Sequence, residues 1–264
     1  MSNKKVEARE RVKAMREEQA RKERRREQLI RFGVVAAVIV AVVIIGVAVM
    51  ASRSGDDVDT AAALPAGVTE PGGAVPAAAL ADGVPTVEVW FDFSCPHCAT
   101  FEAGNGPFLK QLADEGAANL TYRPVTFVGQ AASVRATNAW ACALDEGMGE
   151  EYMDALYAQQ GSYGNRELVS AGESIGLTSS EFRSCVNGST YEGWVQSSHA
   201  VGVGDYGVSG TPTIFVVDGD DRTLVENAQW SPQGLLAAVE AAGGSAPDGD
   251  SGEDADDAAD EDDE

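Results

Sequence analysis

The sequence predicts an α/β domain preceded by a single transmembrane helix. Three observations carry this. Residues 32–51 form an uncharged apolar run. Thr86–Phe93 alternates apolar and polar and runs straight into a helical stretch. Downstream, a second strand, a long helical stretch, two more strands and a last helix follow in order.

Phe32 to Ala51 contains no charged residue over 20 positions. At about 1.5 Å per residue it spans roughly 30 Å, one hydrocarbon thickness. The segment before it, residues 1–31, holds 12 Lys+Arg against 6 Asp+Glu. That excess marks a cytoplasmic side. Pairs such as Glu7/Arg11 and Glu18/Lys22 have helical spacing. A cleaved signal peptide is the rival reading, but its apolar core is normally shorter. Both readings place the rest of the chain outside the cytoplasm, and the retained anchor matches the length better.

The net charge is −23, and beyond residue 31 it is −29. A chain this acidic has no basic face to neutralise phosphates, so nucleic acid is excluded as a partner. Residues 52–72 are rich in Ala, Gly, Pro and Asp and read as a linker. Residues 244–264 carry 11 acidic residues and no aromatic one, so they read as a disordered, solubilising tail. The folded domain is expected over residues 73–243.

Within it, Val87, Val89, Phe91 and Phe93 fall on one face of a strand. Cys95-Pro96-His97-Cys98 follows at once and opens a helix reaching to about Glu115. Asn119–Phe127 reads as a strand. Residues 131–207 read as helical, with Phe182, Cys185 and Val186 at i, i+3 and i+4. Thr213–Val217 is a strand, Asp218-Gly219-Asp220-Asp221 a turn, and Leu224–Asn227 its hairpin partner. Ser231-Pro232 caps a last helix ending at Gly243.

The chemistry lies in the CPHC. Disulfide exchange needs one thiol that ionises easily and a second that resolves the mixed disulfide. Two intervening residues put both in one helical turn. Cys95 falls at the helix start, where free N–H groups and the helix dipole favour a thiolate. Pro96 loses nothing at the first helical position. His97 can donate to the thiolate or place positive charge beside it. Such a centre needs no cofactor beyond the Cys95–Cys98 disulfide. A zinc site needs four ligands. This chain offers one CxxC and two histidines, so no metal is expected.

Gly210-Thr211-Pro212-Thr213 directly precedes a strand. Proline is tolerated there, and an X–Pro bond can be cis. A cis turn would present the backbone of Thr211 to an incoming peptide; a plain turn is the alternative. Cys142 and Cys185 are expected to form a structural disulfide, from parity and an oxidising compartment. Two buried thiols and a second redox pair are the alternatives. The four tryptophans and His199 read as packing residues.

The run Phe91-Asp92-Phe93-Ser94-Cys95-Pro96-His97-Cys98, with the distant Gly210-Thr211-Pro212-Thr213, resembles the DsbA-like branch of the thioredoxin superfamily. It is most similar to the membrane-anchored Gram-positive and actinobacterial forms, over about residues 73–243. The resemblance implies a thioredoxin-like fold in which residues 131–207 are a helical insertion over the site. It implies that Pro212 is cis and faces Cys95. It also implies oxidation of reduced or unfolded exported proteins, and reoxidation by a quinone-linked membrane protein. Two positions depart from the pattern. Many relatives carry a buried acid where this chain has Val89; here it is absent or replaced by Asp92, which is a candidate for proton transfer, with a strand-end residue bonding backbone as the equal alternative. Glu88 is adjacent, but alternation turns it to the other sheet face. Thr211 is a residue that isomerase-like relatives also use, so a reductase or isomerase is the runner-up. A membrane-tethered binding or chaperone module is the reading from a different class.

Overall fold

The computed structural model describes residues 62–161 and 163–247. The basic segment, the apolar run 32–51, the start of the linker and most of the acidic tail lie outside the described residues. No helix among the described residues is long and apolar enough to cross a membrane.

The described chain forms one five-stranded sheet with helices on both faces. The strands are β1 (Val75–Pro76), β2 (Thr86–Phe91), β3 (Asn119–Pro124), β4 (Thr213–Asp218) and β5 (Asp221–Leu224). Their spatial order is β1-β3-β2-β4-β5. The helix α1 (Pro96–Asp114) carries the chain from β2 back to β3, so these two strands are parallel. β4 joins the other side of β2 antiparallel, with Val89 opposite Ile214.

Five helices fill the space between β3 and β4: α2 (Ala131–Asp145), α3 (Gly149–Ala158), α4 (Asn165–Ser174), α5 (Ser180–Gly188) and α6 (Glu192–Gly204). This is the thioredoxin-like plan with a helical insertion. The chain ends in a 3-10 turn, Asn227–Gln229, and α7 (Pro232–Ala241), which Ser231 caps through the N–H of Gly234.

The expected apolar face of β2 is buried: Val87, Val89, Phe91 and Phe93 are each at most 2% exposed. They share a core with Leu109 and Leu112 of α1, Leu235 and Val239 of α7, and Trp140 of α2. The opposite face is covered as well. Trp90 packs there with Val125 and Val208. Helix α6 reaches it at Gly202, where a Cβ would lie 2.6 Å from the Trp90 ring. Glu88 also lies on that face, buried and paired with Arg123 at 3.0 Å.

Two local expectations are corrected, and one strand is added. β5 is Asp221–Leu224, not Leu224–Asn227, because the hairpin turn has two residues and not four. Gly219 takes φ +56, which a two-residue hairpin favours, and Asp218 pairs directly with Asp221. Leu224 and Val225 mark the strand's end, where the chain bends inward. β1 pairs with β3 although its two residues carry no alternation to read. Finally, residues of the expected linker lie against the domain: Val68 is buried, and Arg123 donates to the carbonyl of Gly72 at 3.3 Å. Widely spaced apolar residues among Pro and Gly are enough to hold an irregular segment.

Candidate active site

β2 ends one residue before a tight turn, and the turn delivers Cys95 to the start of α1. Cys95 is the N-cap residue, with φ −88° and ψ 116°, and Pro96 takes the first turn. The N–H of Cys95 donates to the carbonyl of Asp92 at 2.9 Å. Its own carbonyl accepts from the N–H groups of Cys98 and Ala99, at 3.1 and 3.3 Å. The Cys95 side chain makes no cap bond of its own, but it lies at the N-terminal end of the helix, where the N–H groups of His97 and Cys98 favour its thiolate.

Cys95 and Cys98 are both unbonded thiols, 3% and 2% exposed. The thiol of Cys98 is the largest influence holding Cys95 down, to about 5. Burial opposes this. Thr211 and the backbone N–H groups of Cys98 and His97 add to the lowering. Cys98 moves the other way. Its hydrogen bond to Cys95 and its own burial push it far above an ordinary thiol. The two thus hold one proton between them, on Cys98. A nucleophile and a proton-retaining partner are what the exchange needs.

Thr211 and Pro212 are distant in sequence and reach the site from the turn before β4, which neighbours the end of β2. The bond between them is cis. The carbonyl oxygen of Thr211 lies 3.3 Å from the Cys95 sulfur, where it accepts from the thiol while Cys95 is protonated. The Thr211 hydroxyl is buried without a partner. Thr211 helps to lower both thiols. His97 contributes its backbone N–H, while its imidazole stands exposed in solvent. Cys142 and Cys185 form a disulfide between α2 and α5, apart from this cluster.

Asp92 is fully buried, and its carboxylate is engaged away from the thiols. Oδ1 accepts from the N–H of Ser94 at 2.8 Å and from the Ser133 hydroxyl at 2.6 Å. Oδ2 accepts from the N–H of Val128 at 2.8 Å. These bonds make the carboxylate a staple, as the strand-end alternative expects. It joins the end of β2 to the loop before α2, and what faces Cys98 is the Asp92 backbone N–H.

Sequence reasoning missed Glu102. It lies one helical turn beyond Cys98 on α1, 6% exposed, and accepts from the Tyr122 hydroxyl at 2.9 Å. Burial pushes its carboxyl up, against the pull of Tyr122 and Lys110. Glu102 lines a cavity of about 670 Å³ between α1 and α3, with Lys110, Glu150, Asp154 and Tyr157. The i+4 spacing from Cys98 was a readable signal. Gln160 was also missed. Its amide donates to the carbonyl of Cys95 at 3.0 Å, and nothing in the local sequence marks it.

A family model described as Thioredoxin matches residues 81–239. No curated protein matches the chain. Among solved structures, the reduced disulfide bond oxidoreductase DsbG from Mycobacterium tuberculosis is 26% identical, with a TM-score of 0.53. That match covers 67% of this chain and 90% of the other. DsbA from the same organism, in reduced form, is 25% identical with a TM-score of 0.52, covering 66% and 94%. The MdbA thiol–disulfide oxidoreductase of Corynebacterium diphtheriae shares the fold at 19% identity, with a TM-score of 0.53, covering 68% and 98%. The matched region contains β2 with its CxxC, the cis-proline turn and the insertion between them, and on these grounds the chain belongs to the thioredoxin family, as a DsbA-like thiol–disulfide oxidoreductase.

Proposed function

We propose that the protein works in the oxidising direction, introducing disulfides into reduced or unfolded exported proteins through Cys95 and Cys98. The observation that carries this is the depressed Cys95 thiol. Whatever stabilises the thiolate stabilises the reduced form. The disulfide form is then the better oxidant.

In this reading a substrate thiolate attacks the Cys95 sulfur of the Cys95–Cys98 disulfide. Cys98 leaves as a thiolate and takes up a proton, as its preference for the protonated form requires. A second substrate thiolate then attacks the substrate sulfur of the mixed disulfide, and Cys95 leaves as a stable thiolate. The substrate gains one disulfide and loses two electrons to the cysteine pair. A quinone-linked membrane protein, the partner that the family resemblance implies, removes them. Thr211 and Pro212 hold the substrate chain by backbone contact. The apolar run 32–51 tethers the protein to the membrane as a single span. Its N-terminus is cytoplasmic and the catalytic domain lies outside.

The test is the reduction potential of the protein, together with oxidation of a reduced, unfolded test protein. The expected value lies towards the oxidising end of the range for such centres, about −120 mV. A value near about −270 mV, the reducing end, makes it a reductase. A parent that does not exchange thiols but holds unfolded protein as well as Cys95→Ser does leaves only the binding-module reading.

A further inference from the structure

The carbonyl oxygen of Cys95 receives a third donor. Besides the N–H groups of Cys98 and Ala99, Gln160 donates from Nε2 at 3.0 Å. The same amide lies 3.4 Å from the carbonyl of Phe93. Gln160 follows the end of α3, in the insertion. Among the described residues, it is the only side chain from outside α1 that bonds the backbone of residues 95–98. Tyr163 secures the same approach. Its ring is buried, its hydroxyl lies 3.0 Å from the carbonyl of Phe93, and its own carbonyl accepts from Arg135 at 2.7 Å. The catalytic turn is therefore held from two sides. The Thr211 carbonyl meets the sulfur, and Gln160 meets the main chain.

We propose that Gln160 is a positioning residue for Cys95, through which the helical insertion sets the reactivity of the thiol. This rests on the reading of Cys95–Cys98 as the redox pair. The physical link is the peptide plane. Cys95 has no side-chain cap bond to fix it. The orientation of its carbonyl determines how the N–H groups of His97 and Cys98 address the sulfur, and those groups help to hold the thiolate. A donor on that carbonyl fixes the plane and adds the positive end of an amide dipole close to the charge. Without it the plane is held by the Cys98 and Ala99 N–H groups alone, and the thiolate loses part of its support.

The test compares Gln160→Ala and Gln160→Glu with the parent, all as full chains. Three quantities are read: the equilibrium constant with glutathione, the thiolate absorbance titration of Cys95, and the unfolding midpoint of each redox form. Gln160→Glu keeps the shape but sets an anion against the carbonyl. We expect the Ala variant to raise the Cys95 midpoint by about half a unit, and the Glu variant by about one unit. The oxidising equilibrium constant falls by about 3-fold and 10-fold in parallel. Both variants unchanged within about 2-fold, with a parent that exchanges normally, overturn the proposal and leave the redox reading intact. Equal loss of stability in both redox forms, with the titration unmoved, makes Gln160 a purely structural tie and also overturns it. A parent that does not exchange with glutathione overturns the redox reading itself.

Discussion

The sulfur of Cys95 lies 3.3 Å from the carbonyl oxygen of Thr211, a residue 116 positions away in the chain. This contact joins the start of α1 to the turn before β4. It exists because β2 and β4 are direct neighbours in the sheet, with Trp90 opposite Thr213. The end of one strand and the beginning of the next therefore meet at the same edge. The site is a consequence of strand order, and its chemistry is a consequence of what that order brings together.

The first prediction concerns pH. The Cys95 thiol is depressed to about 5, against an ordinary value of about 8.5 in the unfolded chain. A group lowered on folding stabilises the fold fully above its unfolded value, and this stabilisation disappears as pH falls through the folded value. The reduced protein should therefore gain stability over the oxidised one as pH rises from about 5 to about 8.5. Cys98 reverses the trend above that. Its thiol resists ionisation in the fold while the unfolded chain ionises freely. The difference in unfolding midpoint between the two forms should thus pass through a maximum in mild alkali. A difference that stays flat from about pH 4 to 8 rules out the depressed thiol.

Glu102 gives a second pH-dependent prediction, of opposite sign. Burial raises its carboxyl, with Tyr122 and Lys110 opposing. A raised acid costs stability as pH climbs through its unfolded value of about 4.3. Glu102→Gln removes that cost and keeps an oxygen for the Tyr122 hydroxyl. The variant should be as stable as the parent or more so at neutral pH, with the gap closing towards about pH 4. Chemical denaturation at both pH values decides this. A loss above about 1 kcal/mol at neutral pH would mean that the pairing with Lys110 outweighs burial.

How much of this was legible in the sequence follows from the range of each signal. The alternation in Val87–Phe93 and the CPHC are local, and both lie where periodicity and helix-start chemistry put them. The second burial surface around Trp90 was not legible, since it depends on α6 crossing at Gly202. β1 was missed because two residues carry no period. The hairpin was shifted because an acidic tetrapeptide reads as a four-residue turn, while Gly219 permits a two-residue one. At the site, Cys95, Cys98, Thr211 and Pro212 could be found because two short motifs carry them. Asp92 could be noticed, but its partners could not, since Ser133 is contributed from 41 residues away. Gln160 left no trace, because a pair of glutamines before a glycine resembles any loop.

The Cys142–Cys185 disulfide spans 43 positions and joins α2 to α5 within the insertion. Closing a loop of this length stabilises a fold by roughly 4 kcal/mol in the chain-entropy model. The double substitution of both cysteines by serine should cost about that much in chemical denaturation. It should leave the Cys95 titration in place, because the insertion touches the catalytic turn through Gln160 and not through α5. A variant that keeps its stability but loses exchange activity would instead make this bond a working redox pair.

The last prediction separates two roles for Asp92. The carboxylate is buried and accepts from three donors: the N–H groups of Ser94 and Val128, and the hydroxyl of Ser133. The Ser133 oxygen in turn accepts from the N–H of Gly129 at 2.9 Å. Asp92→Asn replaces one acceptor oxygen with a donor. In either orientation of the amide, a backbone N–H is left facing another N–H. One unsatisfied buried donor costs about 1–3 kcal/mol. The variant should therefore unfold earlier by that amount, and Ser133→Ala, which removes a donor from the carboxylate and the acceptor of the Gly129 N–H, should also cost about 1–3 kcal/mol. Because both act on one network, the double variant should lose less than the sum of the two. A proton carrier would behave differently. Neutral asparagine would slow exchange at Cys98 with little change in stability. Slow exchange in a variant of full stability would return Asp92 to the proton path; early unfolding with a normal exchange rate in the folded protein keeps it as the staple between β2 and the loop before α2.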